Sequence, residues 1–351
     1  MGKPPYINVG VFFLFKEFEL EKIADKAMDE LLKTDITQGY TLRDKKLCLQ
    51  DLKYHLKYLK EALDASSPPL FNDYVIWADI LLKSIGLPRE CLKESLKALK
   101  TASKDVMDPR SYEKISSYIT EALNQLEKEH VLKSFITDDN PLKKEAEDYL
   151  KFLLNADTEG ARKLIKSLLD DGIKISDIYL NIFEPAQYEI GRLWQMNMIT
   201  VAHEHYATGL TQMLIAELYP YILESAEKTG KTLVATCINN ELHELGLRIV
   251  SDFLEMNGWN SIYLGANTPQ ESIIKIIQEH DPELLLISAT MTYNIGHVQK
   301  LIGKVKKLEK PPKIMVGGHP FNIDPELWKR VGADAHATNA SMAVKIVDRM
   351  L

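Results

Sequence analysis

The sequence predicts an α/β domain built on a doubly wound parallel sheet, preceded by a helical bundle and an N-terminal all-α domain. Three observations predict it. From Glu17 to Leu132 apolar residues recur at spacings of three and four, the period of one helix face. From Lys143 to Lys228 four longer helical stretches follow one another through short connections, as in a compact bundle. After LESAEKTGK, apolar runs alternate with helical stretches, which implies right-handed crossovers and a parallel sheet covered on both faces.

The first domain is assigned to residues 1–135. LQDLKYHLKYLKEAL places leucines and tyrosines on one helix face, and SSPPLF breaks that helix. NDYVIWADILLKSIG resumes with Asn72 or Asp73 as cap, and Phe71, Tyr74 and Trp77 are expected in the core. LPRECLKESLKALKTA and SYEKISSYITEALNQLEKEH supply two more helices. This region holds 21 basic and 21 acidic residues and shows no recognition-helix signature, so direct DNA binding is not expected. ITDDNPL, Ile136–Leu142, reads as a linker.

The bundle is assigned to residues 138–228, with Pro185 expected to kink its third helix. The sheet domain is assigned to residues 229–351. Its strands are read in TLVATCI, NSIYLGA, LLLISAT and KIMVGG, with AHAT, Ala335–Thr338, as a short fifth. Helices are expected to start near His243, Pro269, Tyr293 and Pro325. The size is flavodoxin-like. In such sheets ligands bind outside the carboxyl ends of the strands, near the point where strand order reverses. Small or polar residues occupy four such ends, at 241–246, 264–268, 288–292 and 317–320.

Composition bounds the function. The chain of 351 residues is 45% hydrophobic and 26% charged, as in ordinary globular proteins, and is long enough for two or three domains. A net charge of −7 gives no general attraction to nucleic acid or anionic membrane. Cys48, Cys91 and Cys237 are far apart and odd in number, which suggests neither a disulfide framework nor a cysteine metal cluster. The apolar run Ile7–Phe15 is too short to span a bilayer, and KEFELEK follows it instead of a cleavage site. It reads as a segment docked on the first domain. A cytoplasmic location and no membrane contact are the default expectation.

At the first strand end stand Glu241, Leu242, His243 and Gly246. Imidazole suits a transition metal, and a carboxylate two residues away can take its other N–H and raise its basicity. Glycines let the backbone approach a bulky ligand. With Ser288 and Thr290 on the third strand and Gly317 and Gly318 on the fourth, the pattern resembles the cobalamin-binding signature D-x-H-x-x-G … S-x-L/T … G-G. The resemblance covers residues 231–351. It implies that His243 ligates cobalt from below, with the nucleotide tail passing the serine and the glycine pair. One departure is that the family most often carries aspartate where this chain has Glu241.

Within the bundle, Trp194, Glu204 and His205 form W-x9-E-H, which resembles the bundle motif of adenosylcobalamin-dependent light-sensing regulators. The resemblance implies that these three lie over the upper face of the corrin. In those regulators a histidine follows the tryptophan and coordinates cobalt after photolysis; here Gln195 stands there. Their MerR-type DNA-binding domain is not matched by residues 1–135.

The resemblance therefore implies a cobalamin-binding sensor, more an adenosylcobalamin photoreceptor than an enzyme, signalling through an unknown protein partner and able to form homo-oligomers. The favoured cofactor form is adenosylcobalamin, with methylcobalamin or hydroxocobalamin as the other forms; the alternative function is a corrinoid methyl carrier of a methyltransferase system, which would favour methylcobalamin or lower oxidation states over adenosylcobalamin. An adenosylcobalamin mutase needs a substrate barrel that the chain lacks, and no P-loop, G-x-S-x-G or H-E-x-x-H motif occurs. His203 and His205, two apart on a helix, do not face each other and make a poor metal pair.

Overall fold

The computed structural model describes residues 17–223 and 227–351; the run Ile7–Phe15 lies outside them. Five helices come first: α1 Glu17–Leu31, α2 Leu42–Asp64, α3 Pro68–Ser84, α4 Arg89–Val106 and α5 Pro109–Gln125. Local chemistry sets their starts. Thr41 and Asp44 form a reciprocal capping box at α2. Asp108 accepts from the amides of Arg110 and Ser111 ahead of α5, with Pro109 in the first turn. Contrary to the expectation of a cap at Asn72 or Asp73, α3 begins at Pro68. Pro68 and Pro69 fit a first turn, whose N–H groups have no intrahelical acceptor anyway, so two prolines start the helix instead of delaying it. Asn72 instead donates from Nδ2 to Glu121 Oε1 at 2.6 Å.

The chain divides into two compact units. One comprises residues up to Ile76 with Pro88–Lys128, the other Trp77–Leu87 with Glu129–Leu351. In the first, Phe71 and Tyr74 are buried, as are Leu52, Leu56 and Leu96. Trp77 departs from the expected core role: it is only half-buried and belongs to the second unit.

Beyond Glu129 the second unit continues with α6 Lys143–Leu154, α7 Thr158–Asp170, α8 Ile175–Ile178, α9 Glu184–Gln195 and α10 Val201–Leu223. The disturbance expected at Pro185 takes the form of a π-helical turn, Tyr179–Phe183, joining α8 to α9. Proline lacks an N–H and crowds the carbonyl four residues back, and the wider register relieves both problems. Tyr149, Tyr179, Phe183 and Leu214 pack in one buried cluster with Ile249 and Phe253 of the sheet domain, so bundle and sheet domain share a core.

The sheet domain continues as β1 Thr232–Ile238, α11 Leu245–Met256, β2 Asn260–Thr268, α12 Gln270–His280, β3 Leu284–Ser288, α13 Ile295–Val305, β4 Lys313–Gly317, α14 His319–Ile323, α15 Leu327–Val331, β5 Ala335–His336 and α16 Ala340–Met350. The strands are parallel in the order β2-β1-β3-β4-β5, the flavodoxin-like arrangement, with the reversal between β1 and β3. Central β1 is buried from Leu233 to Ile238, as its unbroken apolar run requires. The short helix α14, directly after the glycine pair, was not anticipated. Among the described residues no helix is long and apolar enough to cross a membrane.

Candidate functional site

The loops after β1 and β3 meet at the reversal point, and Glu241 joins them. Its fully buried carboxylate accepts five hydrogen bonds. Oε1 takes the backbone N–H of His243 at 3.1 Å and His243 Nδ1 at 2.6 Å. Oε2 takes the amides of Thr290 and Met291 at 2.9 and 3.0 Å and Asn294 Nδ2 at 3.0 Å. Burial alone would raise this carboxyl, but the donors outweigh it and hold it down at about 2. The hydrogen bond to Glu241 raises the His243 pKa against the opposing effect of burial, and Glu204 on α10 adds to the rise.

The His243 side chain is 57% exposed. With Nδ1–H donated to Glu241, Nε2 is the nitrogen available to a metal. The one-methylene difference between Glu241 and aspartate is absorbed here, because the longer chain reaches both the imidazole and the loop after β3.

Around this pair, Leu242 is 71% exposed. Gly246 sits in the first turn of α11, with open space where a Cβ would project. Ser288 ends β3 in register with Cys237 and Gly317. Thr290 enters through its amide. Gly318 has φ +103°, and a Cβ there would stand 2.1 Å from the Ala289 carbonyl oxygen, so only glycine fits. Gly317 is less constrained: its nearest neighbour, Ala337 O, would lie 3.5 Å from a Cβ.

The bundle residues are placed differently. Trp194 is half-buried near the end of α9, its ring 6.2 Å from that of Trp77. Glu204, in the first turn of α10, accepts from Thr208 Oγ1 at 3.1 Å. His205 is largely exposed, with Nε2 3.5 Å from Glu204 Oε2. His203 turns back to Thr200, Nδ1 to Oγ1 2.8 Å, and caps its own helix. The buried Gln195 side chain donates to the Trp77 carbonyl at 3.0 Å. Glu204 is thus the bundle residue whose charge acts on His243, while no direct bond joins Trp194 or His205 to it.

Sequence reasoning missed Asn294 and Glu244. Asn294 lies two residues beyond the strand end 288–292, at the close of the turn Thr292–Asn294, and a buried carboxylate next door requires donors there. Glu244 Oε2 accepts from the Ala266 amide at 2.8 Å and Oε1 from Gln212 Nε2 at 3.1 Å, pinning the end of β2 to the bundle.

Among the described residues no group of three or more His, Cys, Asp or Glu could hold a metal ion. A single imidazole, oriented by Glu241 and exposed at the strand ends, suits a metal whose remaining positions are filled by a macrocycle, and the residues therefore fit a corrinoid. Comparison with known families agrees: residues 231–345 match the B12 binding domain model, and residues 145–219 match a second B12 binding domain model. The chain carries a cobalamin-binding module.

Ahead of the module, residues 18–126 match the phycobilisome protein model. Dimethylamine corrinoid protein 3 of Methanosarcina acetivorans is 28% identical over 166 residues, 46% of this chain and 76% of that protein. Monomethylamine corrinoid protein 1 of Methanosarcina mazei is 26% identical over 204 residues, 55% of this chain and 91% of that protein. The structure of the Methanosarcina barkeri monomethylamine corrinoid protein superposes with a TM-score of 0.53 at 23% identity, covering 60% of this chain and all of that one. That superposition gives the cobalamin module and its relative the same fold.

Proposed function

We propose that this chain is a corrinoid methyl carrier, the subunit of a methyltransferase system that presents cobalamin to protein partners. One observation carries the reading: a monomethylamine corrinoid protein is matched over 91% of its own length by 55% of this chain. The relative is thus accounted for almost entirely, with the rest of this chain left as an addition. The sequence ranked an adenosylcobalamin photoreceptor first; the comparisons favour the methyl carrier and reverse that order.

On this reading His243 holds cobalt from below through Nε2, and Glu241 fixes the ring and its Nδ1 proton. Leu242 and Gly246 border the lower face, and Ser288, Thr290, Gly317 and Gly318 line the path of the nucleotide tail. Trp194, Glu204 and His205 belong to the upper side. Cobalamin, when bound, supplies a cobalt centre that takes up and releases a methyl group. The N-terminal helical unit is assigned to partner contact.

A sensor remains second because of one observation, the half-buried Trp194 paired with Trp77. The Gln195 amide, committed to Trp77 O, does not replace the photoproduct histidine.

The test is a titration of the full chain with methylcobalamin, hydroxocobalamin and adenosylcobalamin, followed by absorption in darkness and in light. A carrier takes up the first two at least as tightly as the third. A strong preference for adenosylcobalamin, with altered elution after illumination, would restore the sensor.

A further inference from the structure

On α10, Glu204, Thr208 and Gln212 follow at successive i+4 positions and share one face. The same face is tied to α11 lower down, where Gln212 bonds Glu244 and the Tyr219 hydroxyl bonds the Glu255 carboxylate at 3.0 Å. These contacts fix where α10 runs. At about 1.5 Å per residue, Glu204 lies about 12 Å further along the axis than Gln212. It therefore overhangs the start of α11, above the strand ends where His243 stands.

The carboxylate at that overhang is backed by a chain of polar groups from the bundle interior. Tyr149 and Thr211, both fully buried, share a hydroxyl–hydroxyl bond of 2.8 Å. Gln187 Nε2 donates to Thr211 Oγ1 at 2.7 Å and to the Ala207 carbonyl at 3.2 Å. Thr208 Oγ1 then lies 3.1 Å from both Gln187 Oε1 and Glu204 Oε1. Thr208 has one hydroxyl proton for two acceptors, so it serves one at a time. The charged acceptor forms the stronger bond. Gln187, anchored on its other side, limits where that hydroxyl sits.

We infer that Thr208 and Gln187 are positioning residues that aim the Glu204 carboxylate at the upper side of the corrin, where it accepts a hydrogen bond from a cobalt-bound water. This rests on the proposal that the corrin lies on His243. A cobalt-bound methyl group has no proton to donate, so the site discriminates between water and methyl as upper ligand. Neither comparison nor motif assigns Thr208 or Gln187 a role.

The experiment loads the full chain with hydroxocobalamin and follows the cobalt-bound water by absorption against pH. A carboxylate acceptor stabilises bound water over hydroxide and raises its pKa. Glu204→Gln is expected to lower that pKa by about one unit, a tenfold change in the equilibrium. Thr208→Val and Gln187→Leu move it in the same direction by less, and Thr208→Ser restores the wild-type value. A residue that merely supports the bundle would lower the melting temperature of the cobalamin-free chain and leave the water pKa alone. A shift in Glu204→Gln without one in Thr208→Val and Gln187→Leu would overturn the positioning role. No shift in any variant would remove Glu204 from the upper ligand. Wild-type protein that takes up no hydroxocobalamin would contradict the function itself, a distinguishable result.

Discussion

Asn294 supplies one of the five donors to Glu241 and is itself almost fully buried. Asn294→Ala leaves the carboxylate short of a partner, which costs about 1–3 kcal/mol. Under the proposed ligation of cobalt by His243, loosening the carboxylate that orients the imidazole also weakens cobalamin affinity about 10–100-fold. Thermal melting and a hydroxocobalamin titration read the two effects separately; wild-type values in both would contradict the role given to Asn294. In the first unit His55 is buried with Nδ1 2.7 Å from Tyr74 Oη, and burial lowers its pKa to about 4. The unfolded chain titrates near 6.5, so it binds more protons below that pH, and stability falls as pH drops from about 6.5 to about 4. The full loss is about 3 kcal/mol. Denaturant unfolding across that range should show the decline in wild type and a flatter profile in His55→Phe. None of this was legible in the sequence, because burial of a lone histidine and the donors to a carboxylate depend on how distant loops and helices pack.

Elements carry two further expectations. Gly318 joins β4 to α14 at φ +103° and ψ 174°, backbone that side-chain-bearing residues avoid, with a carbonyl oxygen against any Cβ. Gly318→Ala is expected to cost about 2–4 kcal/mol in strain and displacement, and Gly317→Ala less than about 1 kcal/mol. Equal melting temperatures for the two variants would contradict that asymmetry.

The second concerns the seam between α10 and α11. Arg248 lies between the Tyr219 and Tyr263 rings, 4.9 and 5.2 Å from their centroids, and pairs with the buried Asp252 at 2.7 Å. Burial raises the Asp252 pKa to about 6 despite Arg248 and the Tyr179 hydroxyl. Arg248→Met leaves a buried carboxylate without its cation, costing about 3 kcal/mol at pH 8. At pH 5 Asp252 is protonated and the cost largely disappears. Unfolding curves at the two pH values check the sign, and an equal loss at both would refute it. Strand positions and the doubly wound sheet were readable because buried parallel strands leave unbroken apolar runs between helical periods. The start of α3, the π-helical turn and α14 were not, since prolines and short loops take their conformation from what surrounds them.

At the scale of the whole molecule, the chain joins a helical unit matching the phycobilisome protein model to a bundle-and-sheet cobalamin module. The site was legible as a module because its motif residues recur at three strand ends that the fold aligns. What separates a carrier from a sensor was not legible, since W-x9-E-H describes spacing across the turn between α9 and α10 and not the ligand above it. Trp77 shows the same limit: its apolar neighbours suit the first unit, yet packing places it with Trp194. The central claim is that His243 ligates cobalt. It is tested most directly by electron paramagnetic resonance of the cobalt(II) form, using protein grown with nitrogen-15 histidine and natural-abundance cobalamin. His243 ligation predicts that nitrogen splitting changes from a triplet to a doublet on labelling, and that the doublet vanishes in His243→Ala. A triplet that persists in the labelled protein would place the cofactor's own base on cobalt and contradict the account.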